Sequence, residues 1–278
     1  MKYIDTNNLS EVLRGKSVDI ESKRVLLAKL EGSDQENDLL VPTNCNGYGR
    51  VRHFRMNRYD DWCSDPLPNL PAAKYFGEEP EETLITQVFQ LASCNFRCWY
   101  CFVDTDRLSA NQKVSKMFSV DELLDLFLKI ENPPKVIDLS GGQPDLVPEW
   151  TLWMMEELEK RNLVDEYFLW SDDNLSTDYL WKYLSNSQVS YMAQYKGFSR
   201  VACFKGFDPV SYSYNTGVSP AHFDIQFQLF AKLLNSGFDI FAYITFTSPR
   251  TSELTRKISL SDNSKNSTFS QCPIMLRQ

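Results

Sequence analysis

The chain has no basic excess. Its 29 Lys and Arg stand against 37 Asp and Glu, a net charge of −8, which disfavours a protein that tracks nucleic-acid phosphates. No apolar run approaches the roughly 20 residues needed to span a bilayer, so no membrane partner is expected. Residues 1–5 lack the apolar segment of a signal peptide. The seven cysteines (Cys45, Cys63, Cys94, Cys98, Cys101, Cys203 and Cys272) are an odd number with three in one short stretch, which excludes a simple disulfide framework and fits reduced thiols in a cytoplasmic setting. His53 and His222 are the only histidines, and no second cysteine pair stands where a closed zinc site would need one. What is present is an ordinary globular mixture, 42% hydrophobic and 24% charged, enough for a packed core.

Residues 1–80 read as an N-terminal extension of unclear fold. Three prolines in 66–71 favour an extended loop there. His53 among Arg50, Arg52 and Arg55 reads as an exposed basic turn. From residue 81 to 250 strand-like runs alternate with amphipathic helices. The runs are 84–91, 136–139, 166–170, 200–204 and 238–246. Between them, Ser119 and Glu122 form a capping box ahead of Leu123, Leu124, Phe127 and Leu128. Pro148 opens a helix whose Trp150, Trp153, Met154 and Leu158 read as core. Ser176 is placed to cap a short helix, and Ser219-Pro220 to start one that carries Phe223, Phe227 and Phe230 and stops at Gly237. Strands alternating with helices indicate an α/β fold with a parallel sheet. Five or six such units without dinucleotide-binding glycines suit a partial (β/α) barrel, in which chemistry gathers at the C-terminal strand ends. Those ends hold the polar clusters: a cysteine loop after the first run, Gly141-Gly142, Asp172-Asp173-Asn174, and Lys205. Residues 251–278 read as a polar tail.

The cysteine loop is Cys94-Asn95-Phe96-Arg97-Cys98-Trp99-Tyr100-Cys101, spaced C-x₃-C-x₂-C. Three thiolates can hold a metal or a cluster and leave one coordination position open, whereas iron–sulfur clusters ordinarily take four cysteines. Here the residues resemble the radical S-adenosylmethionine superfamily motif, with Tyr100 as the aromatic residue before the last cysteine. Gly141-Gly142-Gln143-Pro144 is similar to the Gly-Gly-Glu-Pro loop of that family, with Gln143 in place of Glu. A third stretch, Lys205, Asp208, Pro209, Thr216 and Gly217, resembles one in the glycyl-radical-enzyme activating enzymes, but Cys203 replaces its leading Asp, and Phe102-Val103 replaces the His-Asn that tends to follow the last cysteine.

The resemblance implies a [4Fe–4S] cluster on Cys94, Cys98 and Cys101. It implies S-adenosylmethionine bound at the open iron and near Tyr100, Gly141, Gly142, Gln143, Pro144, Asp173, Asn174 and Lys205. It implies reductive cleavage to a 5′-deoxyadenosyl radical that takes hydrogen from a substrate, protein, peptide or small molecule, with flavodoxin or ferredoxin as electron donor. The alternative is a zinc- or iron–sulfur-binding sensor or interaction protein without catalysis. Cys45, Cys63 and Cys272 fit no spacing that supports a second cluster. Cys203 reads as a small core residue pointing away from Phe204. Tyr48 and Trp62 suit core or substrate stacking equally.

Overall fold

The computed structural model describes residues 3–37, 41–57 and 65–249. The strands in chain order are β1 Val18–Asp19, β2 Arg24–Ala28, β3 Gly49–Arg55, β4 Thr83–Phe89, β5 Ser115–Ser119, β6 Val136–Leu139, β7 Phe168–Asp173, β8 Phe198–Phe204 and β9 Ile240–Ile244. The helices are α1 Thr6–Ser17, α2 Asp34–Asn37, α3 Asn69–Phe76, α4 Val120–Phe127, α5 Pro148–Lys160, α6 Tyr179–Tyr183, α7 Asn186–Gln194, α8 Pro209–Thr216 and α9 Ile225–Asn235. The main sheet runs β3-β4-β6-β7-β8-β9. Its five strands β4, β6, β7, β8 and β9 are parallel, and β3 adds antiparallel at the edge. A second sheet pairs β2 with β1 and β5.

The two faces of the main sheet differ. Phe89, Ile137, Leu139, Leu169, Ala202, Phe204 and Ala242 pack with Trp150, Met154, Leu158, Leu123 and Phe127 of the helices. The capping box of α4 is present in full, Ser119 accepting from Glu122 N and Glu122 accepting from Ser119 N. Pro148 sits at the start of α5, where its missing N–H breaks no bond. The opposite face is the concave interior of the partial barrel. Its floor is apolar: Phe54, Leu84, Val136, Phe168, Trp170, Val201 and Phe241, closed by Leu67 and Ala72. Aromatic side chains bury about 150–250 Å² each, so this small cluster is enough to seal the bottom.

The structure departs from the sequence expectation in defined places. Residues 49–55 are not an exposed basic turn but edge strand β3, paired with β4 from Gly49↔Phe89 to Arg55↔Thr83. Strand β7 runs on through Asp172 and Asp173, because pairing with β8 continues to Asp173↔Ala202. Ser176 does not cap a helix; its hydroxyl donates to Asn95 Oδ1 instead, 3.1 Å away. Ser219 opens only a single 3₁₀ turn, Pro220–His222, and α9 begins at Ile225. Phe227 of α9 is 49% exposed, so the apolar stripe of that helix is narrower than expected. Cys203 does point away from Phe204, packing against the interior floor while Phe204 faces the helices. Tyr48 packs edge-on against Phe118 at 4.8 Å between ring centres, a core contact. Cys63, Trp62, Cys272 and the tail 251–278 lie outside the described residues.

Candidate active site

The cysteine loop leaves the C-terminal end of β4 and is pinned at every turn. Cys94 N donates to Leu108 O at 3.0 Å. Asn95 is fully buried; its amide donates to Ser10 Oγ at 2.9 Å and Ser176 Oγ at 2.8 Å. Phe96 is buried with Tyr212 of α8 and Val218, a cluster against which Cys94 and Cys98 also pack. Arg97 folds back, its guanidinium donating to Cys94 O at 2.5 Å and Phe96 O at 2.7 Å, while its N–H donates to Thr216 O at 3.2 Å. With Asn95 and Phe96 anchored inward, the cysteines and Tyr100 are left to line the rim.

Residues from the other strand ends reach this loop. Gly141 and Gly142 both have positive φ, +87° and +68°, which other residues adopt only with strain. A Cβ on Gly142 would stand 2.3 Å from Leu91 O and 2.6 Å from Ser93 O, so the turn lies directly on the backbone that leads to Cys94. Gln143 N donates to Ser93 O at 2.8 Å, fixing the contact. The Gln143 side chain turns inward: its amide donates to Asp173 Oδ1 at 2.8 Å and its carbonyl accepts from Asn174 N at 2.9 Å. Any contact of this loop with a ligand is therefore left to its backbone. Asp173 also accepts from Leu175 N at 2.8 Å and lies 3.3 Å from Arg200, which donates to Asp145 at 2.6 Å. Pro144 and Asp145 form a buried 3₁₀ turn behind the glycines. Asn174 reaches forward, its amide donating to Asn95 Oδ1 at 3.1 Å and standing 3.8 Å from Cys94 Sγ.

Lys205 completes the rim. Burial opposes its charge, but Tyr100, Cys203, Cys98 and Cys94 together hold its ammonium well above the usual lysine range. Burial pushes the Cys94 thiol up to about 12, with the charges of Cys98 and Cys101 adding to it, and burial raises Cys98 as well, so these two sulfurs become thiolates together only where a cation compensates them. The Tyr100 hydroxyl lies 3.3 Å from Thr245 Oγ1, just beyond β9. Cys101, Trp99 and Phe102 face solvent, Trp99 and Phe102 at 55% and 59% exposure. Among the described residues no group of three His, Cys, Asp or Glu side chains encloses a single metal ion. The donor set itself, three thiols of one pinned loop beside the half-buried Lys205 ammonium, fits a sulfide-containing cluster with one position left over.

The stretch resembling the activating enzymes has a simpler structural account. Asp208 caps α8, accepting from Ser211 N, with Pro209 at the first position. Thr216 donates to Tyr212 O at 2.8 Å, and Gly217 ends the helix at φ 75°. Four of the five matching residues, Asp208, Pro209, Thr216 and Gly217, thus begin and end a helix, and only Lys205 sits at the site.

The family model described as Radical SAM superfamily matches residues 91–187. No curated protein matches the chain. Among solved structures, SuiB of Streptococcus suis bound to S-adenosylmethionine is similar at 14% identity, over 73% of this chain and 46% of that one, with a TM-score of 0.43. SuiB bound to the precursor peptide SuiA is similar at 15% identity, over 74% and 44%, with a TM-score of 0.43. QueE from Escherichia coli is similar at 11% identity, over 66% and 72%, with a TM-score of 0.35. The chain spans less than half the length of the SuiB structures it matches. The family match begins where β4 has just ended and runs past the Gly141-Gly142 turn and the Asp173-Asn174 strand end; this stretch matches a radical SAM domain.

Proposed function

We propose that the chain holds a [4Fe–4S] cluster on Cys94, Cys98 and Cys101 and binds S-adenosylmethionine across the strand ends, to abstract hydrogen from a small dipolar metabolite or a peptide. The observation that carries this is the pinned loop itself: three thiols set beside Lys205 and the Gly141-Gly142 turn. Bound there, the cluster supplies the electron that cleaves the sulfonium S–C5′ bond and so the 5′-deoxyadenosyl radical.

The remaining work falls to residues of this chain. Asn95, Phe96 and Arg97 keep the three thiols on one rim. Lys205 offsets thiolate charge and is placed to meet a carboxylate. Gly141 and Gly142 let the turn pack on Gln90 and on the Leu91 and Ser93 carbonyls, leaving its backbone groups to meet a ligand amine or carboxylate. Tyr100 and Thr245 close the β9 side. The apolar floor excludes water below. Electron entry from a flavodoxin- or ferredoxin-like donor suits the solvent side of the loop, where Trp99 and Phe102 are exposed.

Metal analysis of protein purified anaerobically tests the cluster. Four irons and four acid-labile sulfides per chain, lost together in Cys94→Ala, are expected on the ordinary composition of such a cluster. A colourless protein with stoichiometric zinc and no sulfide would replace this function with the sensor alternative.

A further inference from the structure

Three neighbouring strands place buried polar groups without partners on the interior face of the sheet. Arg50 of β3, Val88 of β4 and Asp138 of β6 stand in one row of the register, with Arg52 and Thr86 in another row of the same face. Nε and Nη2 of Arg50, Oγ1 of Thr86 and both carboxylate oxygens of Asp138 have no hydrogen-bond partner among the described residues. Burial is near complete: Arg50 is 5% exposed, Thr86 and Asp138 0%. The nearest counter-charge to Asp138 is Arg52, whose Nη1 lies 3.8 Å away, too far for a hydrogen bond.

The rest of this polar layer is satisfied. Asp172 accepts from Ser140 at 2.7 Å and from Trp170 Nε1 at 3.2 Å. Asp65 accepts from the Tyr243 hydroxyl and lies 3.5 Å from Arg52. The idle groups are thus confined to the β3-β4-β6 side. They lie between the apolar floor and the cysteine loop, since the Arg50 guanidinium sits 5.5 Å from the centre of the Phe102 ring, one residue after Cys101. Buried polar groups are almost always partnered, and idle ones at a site below a reactive loop mark where a ligand's polar atoms belong.

Resting on the function proposed above, we propose that Arg50, Thr86 and Asp138 form a substrate subsite for a dipolar head group, an ammonium beside a carboxylate, as in an amino acid or a peptide terminus. A planar guanidinium suits a carboxylate in two-point contact. A carboxylate with two idle oxygens suits an ammonium, and the Thr86 hydroxyl can serve either. A bare anion would leave Asp138 unpaired, and a bare cation would leave Arg50 so; only a ligand with both charges satisfies both. The electrostatics agree. Burial and then Asp172 push Asp138 well above the usual carboxylate range against the pull of Arg52 and Arg50, and burial and then Arg52 lower Arg50 to about 10. Among the described residues Nε and Nη2 of Arg50 and both oxygens of Asp138 have no hydrogen-bonding partner, and a facing ammonium would draw Asp138 into its charged form.

Calorimetric titration of the full chain, purified anaerobically, tests the subsite with L-alanine, L-alaninamide and N-acetyl-L-alanine. L-Alanine should bind in the millimolar range, and loss of either its carboxylate or its ammonium should weaken it by about tenfold or more. Arg50→Met should erase the preference over L-alaninamide, and Asp138→Asn the preference over N-acetyl-L-alanine. Arg50→Met/Asp138→Leu should bind none of the three yet resist urea at least as well as the wild type, because it removes buried polar groups that lack partners. Equal binding of all three probes, no binding of any, displacement of L-alanine by S-adenosylmethionine, or earlier unfolding of the double variant would each overturn the proposal. Release of 5′-deoxyadenosine is a separate readout: its absence with probe binding intact would remove the radical function and leave the subsite standing.

Discussion

Two buried arginines on one sheet face opposite fates. On the helix-packed face, Arg200 donates to Asp145 at 2.6 Å and lies 3.3 Å from Asp173, which Gln143 and Leu175 also bind. Through Asn174 and Asn95 this network runs to the cysteine loop, and only Arg200 Nε and Asn174 Oδ1 in it lack partners. On the interior face, Arg50 has two idle nitrogens and Asp138 two idle oxygens. The first network is closed and fixes geometry: it ties the glycine turn, the end of β7 and the cysteines into one frame. The second is open and has the chemistry of a binding surface. A buried charge therefore says little by itself, and its partner count separates scaffold from site.

The sharpest way to break the comparison is to remove the arginine of the closed network. Arg200→Met strands Asp145 and Asp173 in the interior and should cost about 3–5 kcal/mol, read as a fall in urea midpoint at unchanged slope. A near-neutral result would mean that network is not structural. Next in size is Gln143→Glu, which installs the residue the superfamily motif carries. It deletes the donor to Asp173 and sets two carboxylates together, so a loss of about 1–3 kcal/mol is expected; partial recovery with Asp173→Asn would locate the cause.

The third break concerns the open layer and is a pH dependence. Asp138 is raised from 3.8 to about 8 by burial and then by Asp172, with Arg52 and Arg50 opposing and Asp65 adding. Its native form holds a proton that the unfolded chain has lost, so its stabilising contribution is full below pH 3.8 and is lost as pH rises towards about 8. The stability of Asp138→Asn minus that of the wild type should grow over that window and level off above it. Asp145, raised to about 7 mainly by burial, titrates in both proteins and cancels in the difference.

Much of the frame was legible because parallel strands and capped helices leave local signals. The strand 136–139 and the helix from Pro148 fall where their apolar runs and proline place them. The gathering of Cys94, Gly141, Asn174 and Lys205 follows from strand ends alone. What was hidden breaks the usual pattern. In β3, Arg50, Arg52 and Phe54 alternate toward the interior, so two of three inward positions are charged and the period-two signal inverts. Helix α1 buries Ser10, Arg14 and Ser17 along with Leu13, leaving no apolar stripe to see. Helix α8 is mostly Ser, Tyr, Asn and Thr, and its end residues resemble a stretch of the activating enzymes. Asn95, between Cys94 and Cys98, carries no local signal of its role, although it joins the loop to α1 and to the segment after β7.

A product assay tests most directly the proposed S-adenosylmethionine-cleaving centre on these three cysteines. Reconstituted anaerobically with iron and sulfide, then reduced with dithionite, the chain should convert S-adenosylmethionine to 5′-deoxyadenosine and methionine, and Cys98→Ala should fall to the background of the protein-free control. Formation of no 5′-deoxyadenosine by a chain with its iron and sulfide intact, or equal formation by Cys98→Ala, would contradict it.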